Sequence, residues 1–289
     1  MKAVILAGGM GTRLSEETIL KPKPLVEVGG MPILWHIMKI YSSCQINDFI
    51  LLCGYKGDMI KEYFSNYFLH RSDVTFDMVH NTMEVHKRTS EPWRITLVDT
   101  GQETMTGGRL KRVADYLRDE TFCFTYGDGV SDVNVQQVIE LHKSKQKIAT
   151  VTAMRHQSRF GILQIQDDQV HKFSEKPVGE TNWMNSGFFV LDSRVFDLID
   201  GDATVFEQEP LQRLVARNEL AAYQHEGFFM GMDSLRDKKI LEELWAAGKA
   251  PWKVWCDHEN TSDRQYGLHR THGSPTTEEI LSGSRAHRP

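Results

Sequence analysis

The chain has 289 residues, enough for one large α/β domain or two small ones, and its 40% hydrophobic and 25% charged content is that of a globular protein able to bury a core. A net charge of −5 argues against a nucleic-acid partner on global electrostatics. No apolar run approaches the length that spans a bilayer, and the first residues enter a strand directly, so neither a membrane segment nor a signal peptide is expected.

Residues 2–7 form an apolar run of strand length and predict a buried strand. A glycine-rich turn, Gly8-Gly9-Met10-Gly11-Thr12-Arg13, follows it, and Lys23, between Pro22 and Pro24, comes about ten residues later. Pro32 suits the first position of a helix reaching about Cys44. Residues 48–53 predict a strand. Residues 56–68 predict a helix, with Met59, Ile60, Tyr63, Phe64 and Tyr67 at helical spacing. A helix over about 108–117 and a strand over 121–125 come next, with Tyr126-Gly127-Asp128-Gly129 at the strand's carboxyl end. A helix over 135–145 and a strand over 149–154 continue the alternation. The pattern predicts βαβ units and a Rossmann-like, mostly parallel central sheet flanked by helices, an α/β fold whose ligands lie outside the carboxyl ends of the strands.

The second half changes character. Residues 162–165 and 170–173 flank Asp167-Asp168 as a hairpin, 186–191 predict a strand, and 206–217 and 235–246 predict helices. No linker composition separates the halves. We therefore expect a single domain over 1–255, made of a first part over about 1–155 and a small β-rich, substrate-side part over about 156–255. The tail, 256–289, is rich in His, Arg, Ser, Thr and Gly and is expected to lack fixed structure; the spacing of His258, His269, His272 and His287 fits no standard ligand pattern. The four cysteines (Cys44, Cys53, Cys123, Cys256) are scattered with no C-x-x-C pair, which points to reduced thiols and the cytoplasm.

The glycine turn carries the chemistry. Glycines let backbone N–H groups approach an anion, and Arg13 and Lys23 bring positive charge to a triphosphate from two sides. A dinucleotide fingerprint would need a third glycine where Leu14 stands, and the Walker pattern is absent. With the Thr-Arg and Pro-Lys-Pro segments in register, the turn reads as a nucleoside triphosphate cradle rather than a chance glycine loop.

These residues resemble the sugar-phosphate nucleotidyltransferases, and within them the branch that joins CTP to glucose 1-phosphate. The matching segments are 34–38, 53–57, 63–70, 98–101, 106–112, 126–129 and 250–253, and the resemblance covers about residues 1–255. It implies a nucleotide-diphospho-sugar transferase type of fold and Mg²⁺ as cofactor. It also implies CTP and a sugar 1-phosphate as substrates, and a homo-oligomer with neither nucleic acid nor membrane as partner. On the nucleotide side it implies Leu6, Ala7, Gly8, Gly9, Met10, Gly11, Thr12, Arg13, Lys23, Thr104, Arg109 and Asp128, with Thr104 and Arg109 on the base. Arg13, Lys23 and Asp128 would be the catalytic group. Gly161, Glu175, Lys176 and Asn185 would meet the sugar phosphate. Asp128 and Asp233 would hold the metal. The chain departs from the branch at Ser186, where a second glycine is usual, and at Phe229-Met230, where tryptophan and glutamine are usual.

The reaction so implied needs no general base. A phosphomonoester has its second pKa near 6 and is largely dianionic at pH 7. The site must supply charge neutralisation and in-line positioning, which suits Gly, Arg, Lys and Asp. A cytidylyltransferase with a different phosphorylated acceptor, or a UTP- or dTTP-dependent sister enzyme, is the same-class alternative, because the residues alone do not select the base and the departures at Ser186 and Phe229-Met230 fall on the sugar side. A non-catalytic nucleotide-sugar-binding relative is the different-class alternative; the presence of Arg13, Lys23 and both acidic residues speaks against it.

Overall fold

The computed structural model describes residues 1–11, 14–88, 90–155, 162–166, 169–174 and 183–256. By its internal contacts the chain divides into Met1–Cys256 and Asp257–Pro289; the second unit, which contains the predicted tail, lies outside the described residues.

The first third contains β1 (Lys2–Ala7), the single turn α1 (Ser15–Thr18), a two-residue ribbon of β2 (Glu27–Val28) and β3 (Met31–Pro32), then α2 (Ile33–Ser43) and β4 (Asp48–Cys53). Next come α3 (Gly57–His70), a hairpin of β5 (Ser72–Asp77) and β6 (Thr82–Arg88), β7 (Arg94–Asp99), α4 (Thr106–Lys111) and β8 (Thr121–Tyr126). The chain continues through β9 (Gly129–Ser131), α5 (Val135–Lys145), β10 (Ala149–Arg155), and the hairpin of β11 (Ile162–Gln166) and β12 (Gln169–Ser174). It closes with β13 (Trp183–Asp192), α6 (Glu209–Ala216), β14 (Leu220–His225), β15 (Phe229–Gly231) and α7 (Leu235–Ala246).

Seven strands form one sheet in the order β14-β10-β13-β8-β1-β4-β7. All neighbours pair in parallel except β13, which runs antiparallel to both β8 and β10. The expected mostly parallel sheet is therefore present, with one reversed strand inside it. Side chains of β1 alternate between two cores: Ala3, Ile5 and Ala7 face one layer, Val4 and Leu6 the other. Both faces are covered, which is why β1 and β4 read as unbroken apolar runs rather than alternating ones. The first layer is closed by α2 and α5, the second by α4, α6 and the 195–199 segment.

Several boundaries differ from the sequence expectation, among them the start of β13, three residues early at Trp183. The helix expected over about 108–117 begins at Thr106, ends at Lys111, and is followed by a separate 3-10 turn, Ala114–Tyr116. Its first N–H groups find a partner outside the helix: Gly107 N and Gly108 N both donate to the Thr204 carbonyl, at 2.9 and 3.2 Å. The glycines thus sit inside the helix because another loop packs on them. The helix expected from 206 starts at Glu209, with Pro210 in its first turn. Pro32 is the cap of α2 rather than its first residue. The hairpin β5–β6 and the strands β7 and β14 were not legible: none of their described residues is buried, so no apolar period marks them.

One buried polar group locks α2 to the end of the described chain. His36 is fully buried among Trp35, Trp245, Trp252 and Trp255, with the Trp245 ring 4.7 Å away edge-on. Its Nε2 donates to the Val28 carbonyl at 2.8 Å, and its Nδ1 accepts from Trp252 Nε1 at 3.3 Å. Those partners define a neutral tautomer, and burial pulls the imidazole down to about 4. The unfolded chain therefore binds this proton first as pH falls. The contribution is whole above about pH 6.5 and is lost progressively toward pH 4, on the order of 3 kcal/mol in all. Urea midpoints measured at pH 7.5, 6 and 5 should fall in step with that range. A His36→Phe variant should start lower at pH 7.5, having lost both hydrogen bonds, yet show a flatter decline.

Candidate active site

The carboxyl ends of β1 and β8, with the 102–109 segment that follows β7, line a cavity of about 380 Å³. Ten of the residues expected on the nucleotide side line it: Leu6, Ala7, Gly8, Gly9, Met10, Gly11, Lys23, Thr104, Arg109 and Asp128. Thr12 and Arg13 lie outside the described residues. Gly11 has φ of +63°, and a Cβ there would stand 2.8 Å from Thr18 Cγ2. The Thr18 hydroxyl in turn lies 3.1 Å from the Gly11 carbonyl and 3.0 Å from the Leu14 carbonyl, so α1 buttresses the turn it follows.

Arg109 lies beneath that turn as a post. It is only 5% exposed. Its Nη1 donates to Thr100 Oγ1 at 2.8 Å, the Gly101 carbonyl at 2.6 Å and the Cys53 carbonyl at 3.3 Å, and its Nη2 donates to the Gln102 carbonyl at 2.9 Å. The guanidinium thus ties β4 and the segment after β7 to the cavity wall. It packs so closely under the glycines that a Cβ on Gly8 would be 2.4 Å, and on Gly54 2.2 Å, from Nη1. Burial pushes the nearby Cys53 thiol up to about 11, which leaves no thiolate nucleophile there at neutral pH.

Lys23 sits between two carboxylates, donating to Asp128 Oδ2 at 2.7 Å and to Asp233 Oδ1 at 2.8 Å. Proline on both sides and a short 3-10 turn hold its backbone. Burial alone would lower its pKa, but the Asp128 charge and the hydrogen bonds to both aspartates outweigh that and raise it above the ordinary lysine value. The two carboxylates expected to bind metal thus converge on one cation, here the ammonium. Among the described residues no group of three or more His, Cys, Asp or Glu could hold a metal. Two hard oxygen donors fit Mg²⁺, which takes one or two carboxylates and completes its shell with phosphates and water.

A second cavity, of about 400 Å³, adjoins the first; Thr106, Tyr126 and Asp128 line both. Asn185, expected on the sugar side, belongs to it, along with Glu207 and Phe229. Gly161, Glu175 and Lys176 lie outside the described residues. Of the departures noted in the sequence, Ser186 turns its hydroxyl to the Thr152 carbonyl at 2.9 Å, into the sheet. Phe229 gives the cavity an apolar wall. Glu207 was missed. It falls within a predicted helix, where it reads as a first-turn acid, yet the structure leaves it just ahead of α6 with its carboxylate on the cavity.

A model of the nucleotidyl transferase family matches residues 2–260, and the chain belongs to that family. It is 63% identical over 256 residues to a glucose-1-phosphate cytidylyltransferase from Salmonella typhi, covering 88% of this chain and 100% of that one. It is 45% identical over 256 residues to a probable glucose-1-phosphate cytidylyltransferase from Bacillus subtilis, with the same coverage. In fold it resembles a putative glucose-1-phosphate thymidylyltransferase from Bacillus anthracis, with a TM-score of 0.62 at 20% identity, covering 84% of this chain and 94% of that one.

The post-and-turn arrangement has a direct test. Gly54→Ala forces a methyl group against Arg109 and the Gly8 carbonyl. It should lower stability by about 1–3 kcal/mol in urea unfolding and raise the nucleotide KM more than the acceptor KM.

Proposed function

We propose that the protein transfers the cytidylyl group of CTP to α-D-glucose 1-phosphate, giving CDP-glucose and pyrophosphate. The observation that carries this is the shared wall: Asp128, Tyr126 and Thr106 border both cavities, so a triphosphate in one and a sugar phosphate in the other would meet at Asp128. The choice of cytosine and of glucose rests on the similarity to the Salmonella and Bacillus cytidylyltransferases.

In the reaction an oxygen of the acceptor phosphate attacks the α-phosphorus of CTP, forming the new P–O bond as the bond to the β-phosphate oxygen breaks. Backbone N–H groups of the 8–11 turn face the triphosphate, and Lys23 adds charge beside Asp128. Arg13 would neutralise the departing pyrophosphate. Asp128 and Asp233 would hold Mg²⁺, which, when bound, neutralises phosphate charge and helps align the reacting groups. Thr104 and Arg109 line the nucleotide cavity and would serve the base; Arg109 would do so through the Gly101 and Gln102 carbonyls that it positions. Gly161, Glu175, Lys176 and Asn185 would contact the sugar phosphate. The same reading carries a cytoplasmic location, which the four free cysteines support. It also carries a homo-oligomeric state, which the family resemblance implies.

Pyrophosphate release measured for CTP, UTP, dTTP and GTP against several sugar 1-phosphates should peak sharply at CTP with glucose 1-phosphate; no turnover with CTP and Mg²⁺ would overturn the reading. Arg13→Ala and Asp128→Asn should each lower kcat by about 10²-fold or more with the thermal transition retained. Near-wild-type kcat in either variant removes that residue's role.

A further inference from the structure

On one wall of the acceptor cavity two chains of hydrogen bonds converge. Gly187 N donates to Asn185 Oδ1 at 2.7 Å, which turns the amide of Asn185 toward Tyr126 and lets it donate to the phenol oxygen. Tyr126 donates its own proton to Glu207 Oε1. Burial, and then the neighbouring carboxylate, push that phenol well above its ordinary pKa, so the O–H persists as a donor. On the other side, Phe206 N donates to Thr106 Oγ1 at 2.9 Å, and Thr106 donates to Glu207 Oε2 at 2.7 Å. Both chains of hydrogen bonds run the same way and end on one carboxylate.

Glu207 therefore has both oxygens oriented, one from β8 and one from α4, while lining the cavity. A carboxylate offers about four lone-pair sites, of which the described residues take two. The remaining sites can only accept. Its negative charge repels a phosphate, while Lys23, which lines the neighbouring cavity beside Asp128, attracts one. An acceptor with one anionic end and one hydroxyl-bearing end can thus enter in only one orientation.

We infer that Glu207 is a specificity-determining residue for the acceptor, accepting a hydrogen bond from a hydroxyl of the sugar and turning its phosphate toward Asp128. The inference rests on the acceptor class proposed above, and it adds a residue and a direction of recognition to that class. Tyr126 and Thr106 serve as positioning residues.

The test is calorimetric binding of glucose 1-phosphate and its 2-, 3-, 4- and 6-deoxy analogues to the wild type and to Glu207→Gln, with turnover measured in parallel. In the wild type one deoxy analogue should bind about 10- to 100-fold more weakly than glucose 1-phosphate. In Glu207→Gln glucose 1-phosphate itself should weaken by a similar factor, the penalty for that same missing hydroxyl should disappear, and the KM for CTP should stay within about 2-fold. An identical analogue ladder in both proteins overturns the inference, as does a variant that weakens CTP and sugar phosphate equally, the mark of a merely structural latch. If Glu207→Gln does not fold, Thr106→Val, which releases Oε2 and keeps the carboxylate, should compress the same ladder; an unchanged ladder there also overturns it. Loss of CTP turnover in a wild type that still binds the sugar phosphates selectively would count against the proposed reaction and leave the assignment of Glu207 standing.

Discussion

A single ammonium held between two carboxylates ties the cleft together. Lys23 joins a loop near the start of the chain to Asp128 at the end of β8 and to Asp233 at the start of α7, partners 105 and 210 residues away. Only the lysine is well buried; the aspartate side chains are 36% and 42% exposed. Solvent therefore screens the pair well below the energy of a fully buried bridge. Its larger effect is geometric. It brings two like charges to one point where, without a cation, they would repel, and a phosphate-binding enzyme has use for that point whichever cation stands there.

Much of this was legible in the chain. The run from Ala3 to Ala7 could only be a strand buried on both faces, and glycines directly after it could only be a turn at a carboxyl end. Asp128 was equally legible, as an acid flanked by glycines after an apolar strand. What escaped depends on partners distant in sequence. No local pattern says that Arg109 will donate to four acceptors spread over residues 53, 100, 101 and 102. Nor does any pattern say that Glu207 will leave its predicted helix, since its partners Thr106 and Tyr126 lie 101 and 81 residues back. Exposed hairpin strands such as β5 bury too little for their side-chain period to show.

The reversed strand β13 explains how one sheet serves two ligands. Parallel strands present only their carboxyl ends at the cleft. Running the other way, β13 presents its beginning there, so Asn185 and Gly187 reach the same edge as Tyr126. The first cavity is lined wholly by the first half of the chain, and the second joins residues of that half to Asn185, Ser186 and Gly187 of this reversed strand. They share only the residues where the phosphates must meet.

The knot around His36 has a spectroscopic consequence. Of six tryptophans, Trp35, Trp245, Trp252 and Trp255 gather at this one imidazole, while Trp93 stacks near Tyr67 and Trp183 lies beside Arg155 at the start of β13. Intrinsic fluorescence of the folded chain is thus dominated by a place remote in role from the cleft. An emission change during unfolding therefore reports chiefly the seam between α2 and α7.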